Sequence, residues 1–454
     1  MITSTNPATG ETVATYEVMS PAEVLRVVEQ ADRGFQTWRR LDVAERARPM
    51  QRAAALLEER KDALALLMAR EMGKPIAQGI SEAEKCAWVC RHYAEHAHSF
   101  LVPEAMPSDA AKSYAAFQPL GVVLGVMPWN FPFWQVFRFA APTLMAGNAC
   151  VLKHASNVTG CALAIGDIMR DAGFPEGLFG VLLVPGEQVA RVIEMPLVRA
   201  VSLTGSSAAG RSVARAAGRM LKKCVLELGG SDPYVVLEDA DLGPTVETCV
   251  ASRLINAGQS CIAAKRFIVV RPLERAFTER MVDLMREKTL GLPTEPGVDL
   301  GPLARRDLRD QLHAQVTESV RRGAVRALGG VVPRDAGAFY PPTVLTSVRP
   351  GMPAYDEETF GPVAAVIVAE SEADAIRIAN DSPFGLGAAV FTKDRARGER
   401  IAAEELEAGA CFVNAFVRSD PRLPFGGIKD SGYGRELSSF GIREFVNIKT
   451  VYVA

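Results

Sequence analysis

None of the eight cysteines forms a CxxC pair, and the five histidines stand at no metal-ligand spacing. That scatter argues against a metal cluster and for a reduced, cytoplasmic setting with most thiols buried and inert. No block of basic residues occurs, and the formal net charge is −2. Nucleic acid and anionic membranes are therefore poor partners for this chain. The opening "MITSTNPATGETV" lacks the charged and apolar regions of a signal peptide. A long uninterrupted apolar run is missing too. Between Ser113 and Leu152 the only charge is Arg138, but Gly121, Gly125, Pro128, Pro132 and Pro142 break the stretch repeatedly. A membrane helix needs about 20 consecutive apolar residues, so the stretch reads as buried core and site lining.

What is present is an ordinary globular balance, with 48% hydrophobic and 23% charged residues. A chain of 454 residues exceeds one common core, which predicts two or three packed units. "SPAEVLRVVEQADRGFQTW" predicts a helix, with Ser20 and Glu23 as a capping box and Pro21 at the first helical position. "ERARPMQRAAALLEERKDALALLMAREM" predicts a second helical segment.

From Gly121 the rhythm changes. Short apolar runs ("GVVLGVM", "ACVLK", "FGVLLV", "AVSLTG", "CVLELGG") alternate with helix-like segments. Strands apolar on both faces, separated by helices, predict a parallel sheet covered on both sides. Such sheets bind nucleotides at their strand ends. The texture returns at "RFIVVR", "PVAAVIVAE" and "GAAVFTKD", which predicts a second α/β unit with a boundary near Gly229–Asp232. The tail "FVNIKTVYVA" alternates as a strand does.

Four stretches could carry chemistry. In "NAGQSCIAAKR" the small polar loop sets Cys261 where a backbone can approach closely and offer N–H groups to an oxyanion. Read alone, Cys261 is either buried filler or a nucleophile that needs a base or a lowered pKa. Glu227 in "LELGGSDP" is either a turn-capping carboxylate or a general base raised by burial. Asn130 in "PWNFPFW" is either a satisfied core amide or an oxyanion donor. "SLTGSSAAGR" ends a strand, turns and starts a helix, whose N-terminus suits a phosphate.

Taken together, "PWNFP", "LTGSSAAG", "LELGG", "NAGQSC", "ETFGPV" and "PFGGIKDSG" resemble the aldehyde dehydrogenase superfamily, in its order and nearly end to end. "STNPATGE", "VLKHASNV" and "GQSCIAAKR" look most like its succinate-semialdehyde dehydrogenases. The resemblance implies an α/β fold: a parallel-sheet, Rossmann-like cofactor domain over 1–105 and 121–228, a catalytic domain over 229–428, and oligomerisation strands at 106–120 and 443–454. It also implies a homodimer or homotetramer and a small-molecule aldehyde substrate.

By the same resemblance Cys261 attacks the aldehyde carbon. Asn130 and the Cys261 N–H hold the oxyanion, and Glu227 activates the water that hydrolyses the thioester. Relatives that pass the acyl group to coenzyme A generally lack this glutamate, so its presence implies a carboxylic acid product. Trp129, Lys153, Thr204, Gly205, Ser206, Gly229, Glu358 and Phe360 match cofactor contacts. Position 156 departs from many NAD-preferring relatives, which carry a ribose-binding glutamate there; Ser156 leaves room for a 2′-phosphate near Lys153. The implied cofactor is NAD or NADP.

Arg138 has two readings, an ion pair within the protein or a fork for a substrate carboxylate. In similar semialdehyde enzymes an arginine eight residues after the "PWNFP" asparagine holds that carboxylate. A second arginine of some relatives is Ile255 here, and Arg418 and Ser419 are candidates to compensate. The implied reaction is oxidation of succinate semialdehyde. Glutarate semialdehyde or a general aliphatic aldehyde is the nearer alternative, and a cofactor-independent cysteine hydrolase is the distant one.

Overall fold

Strands that are apolar on both faces are stable only between covering layers, and two sheets of this kind organise the chain. The computed structural model describes residues 1–334 and 337–454. The first sheet has the order Gly432–Tyr433, Lys223–Glu227, Val198–Thr204, Val122–Met127, Ala149–His154, Phe179–Val181. Its other five strands run parallel to one another, and only the short strand at 432–433 is antiparallel. The second sheet orders Val325–Leu328, Thr343–Thr346, Val363–Ala369, Arg266–Val270, Pro233–Val236, Gly387–Phe391 and Ala410–Val413. A third, antiparallel sheet joins Val446–Val453, Lys112–Pro119 and Glu104–Ala105.

Each large sheet has its own hydrophobic core. The first gathers Val122, Leu124, Val151 and Val201 with the helices before and between the strands; the second gathers Val235, Ile268, Val366 and Val390. The chain leaves the first unit after Glu227 and returns to it at Gly432. Two segments therefore cross between the units near one sheet edge.

The helix Pro21–Trp38 starts at the predicted Ser20–Glu23 capping box. The next segment differs from expectation. It forms two helices, Val43–Glu59 and Lys61–Met72, because Arg60 leaves the helical region at φ −105° and ψ 5°. No glycine or proline marks that break. The bend lets both halves pack on the long helix Ile76–Leu101, and tertiary packing outweighs the uniform helix propensity there. The low-charge stretch becomes a central strand and the buried helix Trp134–Met145. Among the described residues no helix is long and apolar enough to cross a membrane.

The order of the first sheet creates a crevice. From Val122–Met127 the chain builds outward through the strands at 149 and 179, then crosses to the other side at 198. The strands Val122–Met127 and Val198–Thr204 are thus neighbours at a switch point, where α/β sheets bind ligands beyond the carboxyl ends.

Candidate functional site

Cys261 owes its position to a strained turn. After the helix Leu242–Leu254 the backbone is left-handed at Asn256 (φ 52°), Ala257 (φ 53°) and Gly258 (φ 74°). Asparagine and glycine accept this conformation, whereas Ala257 costs about 1 kcal/mol. Gly258 is required sterically, because any Cβ there would meet the Gly361 carbonyl. Arg253 Nη2 donates to Gly258 O at 2.6 Å. Beyond the turn, Lys265 Nζ donates to the carbonyls of Ser260 (3.0 Å), Cys261 (2.8 Å) and Ala263 (3.3 Å). The thiol is only half-buried by surface area, yet its surroundings push its pKa up to about 12. Burial is the main cause, opposed by the charges of Arg138 and Lys265.

Asn130 packs beside this loop. Its Nδ2 donates to Gln259 O at 3.0 Å, while its Oδ1 accepts from Gln135 Nε2 at 3.0 Å. Asn256 Nδ2 donates to Asn130 O at 2.8 Å. The bond from Gln135 fixes which end of the Asn130 amide faces the cysteine loop. One amide hydrogen is engaged and one is left. The Cys261 N–H has no protein acceptor among the described residues. Asn130 and the loop together therefore carry two donors for an oxygen bound next to the sulfur.

Glu227 ends its strand in a fully buried position with no partner for either carboxylate oxygen. Burial raises its pKa well above the usual carboxylate range, and the nearby Glu436 raises it further. Glu436 is itself buried, paired with Arg138 Nε and bonded by Ser202 Oγ at 3.3 Å. Arg138 Nη2 donates to Thr204 Oγ1 at 3.1 Å. The first reading of Arg138, an internal ion pair, therefore holds through Nε, Nη2 is taken by a neutral hydroxyl, and Nη1 has no hydrogen-bond partner among the described residues.

Two cavities meet at Cys261. One, of about 390 Å³, lies at the switch point and is lined by Trp129, Asn130, Thr204, Gly205, Ser206, Gly229, Glu358 and Phe360. The other, of about 410 Å³, is lined by Lys85, Phe131, Trp134, Arg138, Ile255, Arg418, Ser419 and Phe425. Only Cys261 and Gln135 line both. Glu227 lines neither; it sits behind its neighbours Leu228 and Gly229, which face the first cavity.

The first cavity fits a dinucleotide. Ser206 caps the helix Ser207–Arg219, its Oγ accepting from Ala209 N at 3.3 Å, and the remaining N–H groups of that turn suit a phosphate. Trp129 and Phe360 meet edge to face at 5.8 Å between ring centroids. Glu358 accepts from Gly230 N at 3.0 Å and faces Lys265 at 3.5 Å. Lys153 lies next to the last residue of its strand, outside this lining, with burial lowering its pKa against the pull of Glu187. Ser156 opens a short turn directly after it. A Cβ on Gly229 would collide with the Glu358 carboxylate. Gly229→Ala is therefore expected to raise KM for the dinucleotide about tenfold, equivalent to roughly 1.4 kcal/mol, with little change in kcat. Steady-state kinetics at saturating aldehyde measure this.

Sequence reasoning missed Lys85, Gln135, Lys265 and Glu436. Gln135 lies one turn beyond the "PWNFPFW" asparagine, so a helical reading of that stretch could have found it. Lys85 stands in an amphipathic helix with no local signal.

The profile of the aldehyde dehydrogenase family matches residues 1–451. A succinate-semialdehyde dehydrogenase (NADP(+)) of Mycobacterium tuberculosis is 48% identical over 458 residues, covering 100% of both chains. A succinate semialdehyde dehydrogenase (NAD(P)+) of Escherichia coli is 45% identical over 449 residues, covering 99% of this chain and 97% of its own. The crystal structure of succinic semialdehyde dehydrogenase from Streptococcus pyogenes with NADP+ superposes with a TM-score of 0.97 at 36% identity, covering 100% of both chains.

Proposed function

Because the chain belongs to the aldehyde dehydrogenase family, we propose that it oxidises succinate semialdehyde to succinate with NADP, and accepts NAD as well. The observation that carries this reading is the junction at Cys261 between a dinucleotide-shaped cleft and a second cavity rich in cations. Lys85, Arg138 and Arg418 line that second cavity, which suits an aldehyde bearing a distal carboxylate. The full-length relatives described above carry the same activity in their names. The absence of a carboxylate at Ser156 supports NADP, since nothing at that position repels a 2′-phosphate.

The chain's own residues divide the work. Cys261 gives its thiol proton to solvent, the thiolate sulfur attacks the carbonyl carbon, and the new oxyanion takes hydrogen bonds from Asn130 Nδ2 and the Cys261 N–H; as that oxyanion re-forms a C=O bond, the C–H bond breaks with loss of hydride and leaves a thioester. Gln135 keeps the Asn130 amide in the donating orientation. The bound dinucleotide would supply the hydride acceptor, with Glu358, Ser206, Trp129 and Phe360 holding it. Glu227 then takes a proton from water, whose oxygen attacks the thioester; the C–S bond breaks and the acid leaves. Phe131 and Trp134 exclude bulk water from the acyl chain. We read the exposed Ile448, Tyr452 and Val453 of the third sheet as a contact of a homodimer or homotetramer, and a cytoplasmic setting fits the free thiols.

A substrate panel tests the proposal. With NADP, kcat/KM for succinate semialdehyde should exceed that for butanal by at least about tenfold, as expected when a buried charge meets its partner. Glutarate semialdehyde should fall between them, and NADP should serve at least as well as NAD. Equal use of butanal, or turnover with NAD alone, would overturn this assignment.

A further inference from the structure

The helix Trp134–Met145 begins without a cap of its own. Phe133 stands at the N-cap position, and its side chain can accept no hydrogen bond, so the first N–H groups need a partner from elsewhere. Glu82, on the helix Ile76–Leu101, supplies it. Its Oε1 accepts from the backbone N–H of Phe133 at 2.9 Å and of Trp134 at 3.0 Å. Neither N–H has another acceptor among the described residues. The helix dipole favours a negative charge at this end.

The other oxygen of Glu82 is ion-paired with Lys74 Nζ, and the two side chains are only 2% and 1% exposed. Lys74 lies in the turn between the helices Lys61–Met72 and Ile76–Leu101. Its Nζ also stands 3.9 Å from the centroid of the Phe131 ring. The pair thus grips both flanks of Pro132, a residue with no N–H to offer. On one side it meets the Phe131 ring, and on the other the N–H groups of Phe133 and Trp134. Asn130 immediately precedes the gripped residues. Gln135, whose Nε2 donates to Asn130 Oδ1 at 3.0 Å, immediately follows them.

A buried ion pair adds little net stability, because desolvation offsets much of the attraction. Its weight here lies in what it holds, since a site must keep its groups within about 0.5 Å of the productive geometry. We propose that the Lys74–Glu82 pair positions the oxyanion donor. Glu82 fixes residues 131–135 and so aims Asn130 Nδ2 at the developing oxyanion, while Lys74 fixes the Glu82 carboxylate. Both act through Asn130 and are positioning residues. The inference rests on the oxyanion reading of Asn130 above. It is independent of which aldehyde is bound, because every aldehyde forms the same oxyanion.

The test is a double-mutant cycle read in single-turnover NADPH formation at saturating aldehyde and NADP. Lys74→Met with Glu82→Met removes the acceptor and leaves no unpaired charge, a replacement that buried ion pairs commonly tolerate. Lys74→Met with Glu82→Gln is equally neutral but keeps an amide oxygen for the two N–H groups. The Met pair should slow the single turnover about 10- to 100-fold, the scale of a small misplacement in a preorganised site. KM for the aldehyde, NADP affinity and the rate of Cys261 alkylation by iodoacetamide should stay within about twofold, since only transition-state contacts are lost. The Gln pair should recover to within about threefold of wild type, because it retains the hydrogen bonds. Asn130→Ala alone should slow the step about 10²- to 10³-fold. Adding the Met pair to Asn130→Ala should cost less than about twofold more, as expected when both act through one group. Butanal and succinate semialdehyde should give the same pattern.

Losses that multiply with Asn130→Ala would overturn the inference, as would a Gln pair as slow as the Met pair. A parallel fall in NADP affinity and alkylation would reduce the pair to a structural support and overturn it too. A Met pair as fast as wild type beside a slow Asn130→Ala sinks the inference alone. If Asn130→Ala itself turns over like wild type, the oxyanion reading falls and the inference falls with it.

Discussion

Cys261→Ser is expected to lower aldehyde oxidation by about 10⁴-fold or more, the scale seen when a covalent nucleophile is removed from a preorganised site. The hydroxyl is nearly isosteric, so folding and dinucleotide binding should persist. An alkoxide is far harder to form than a thiolate, because a serine hydroxyl is a much weaker acid than a cysteine thiol. Burial already raises the thiol pKa to about 12, and the same surroundings would penalise an alkoxide more. NADPH formation and tight retention of dinucleotide measured together would check the point. Turnover equal to wild type would remove Cys261 from the reaction.

Glu227→Gln is expected to lower kcat by about 10² to 10⁴-fold while leaving the first turnover intact. On the proposed mechanism the carboxylate acts only to activate water, after the acyl group has joined the sulfur. Rapid mixing should therefore show a burst of NADPH close to the enzyme concentration, and intact mass spectrometry should find the acyl adduct on Cys261. The wild-type pH profile follows from the sign of the shift. Because burial and Glu436 raise the Glu227 pKa, the free acid persists toward neutral pH, and kcat should climb with pH as the carboxylate ionises. The Gln variant should lose that climb. A slow first turnover without an adduct would place Glu227 before acyl formation instead.

The fold was largely legible because both large sheets are made of short runs apolar on every face, and few other structures satisfy that pattern. The junction at Cys261 was legible because its parts lie in motifs. Trp129, Thr204, Gly229, Cys261 and Glu358 are distant in sequence yet border one cleft. The place of Lys85 in the second cavity was not legible, since it depends on helix Ile76–Leu101 crossing Ser419, a meeting that no local spacing encodes. The ion pair between Arg138 and Glu436 was hidden for the same reason. The break at Arg60 lacked a glycine or proline and arises from packing. The left-handed turn at Asn256–Gly258 was half visible: asparagine and glycine signal it, while Ala257 conceals it.

The two cavities share almost no lining beyond a sulfur atom and one glutamine. Each reactant thus has its own doorway, and neither must vacate a passage for the other to enter. An acid product can depart through the cationic side while the spent dinucleotide is still seated opposite, so the traffic of the two molecules is steered by separate corridors rather than by queueing at one gate.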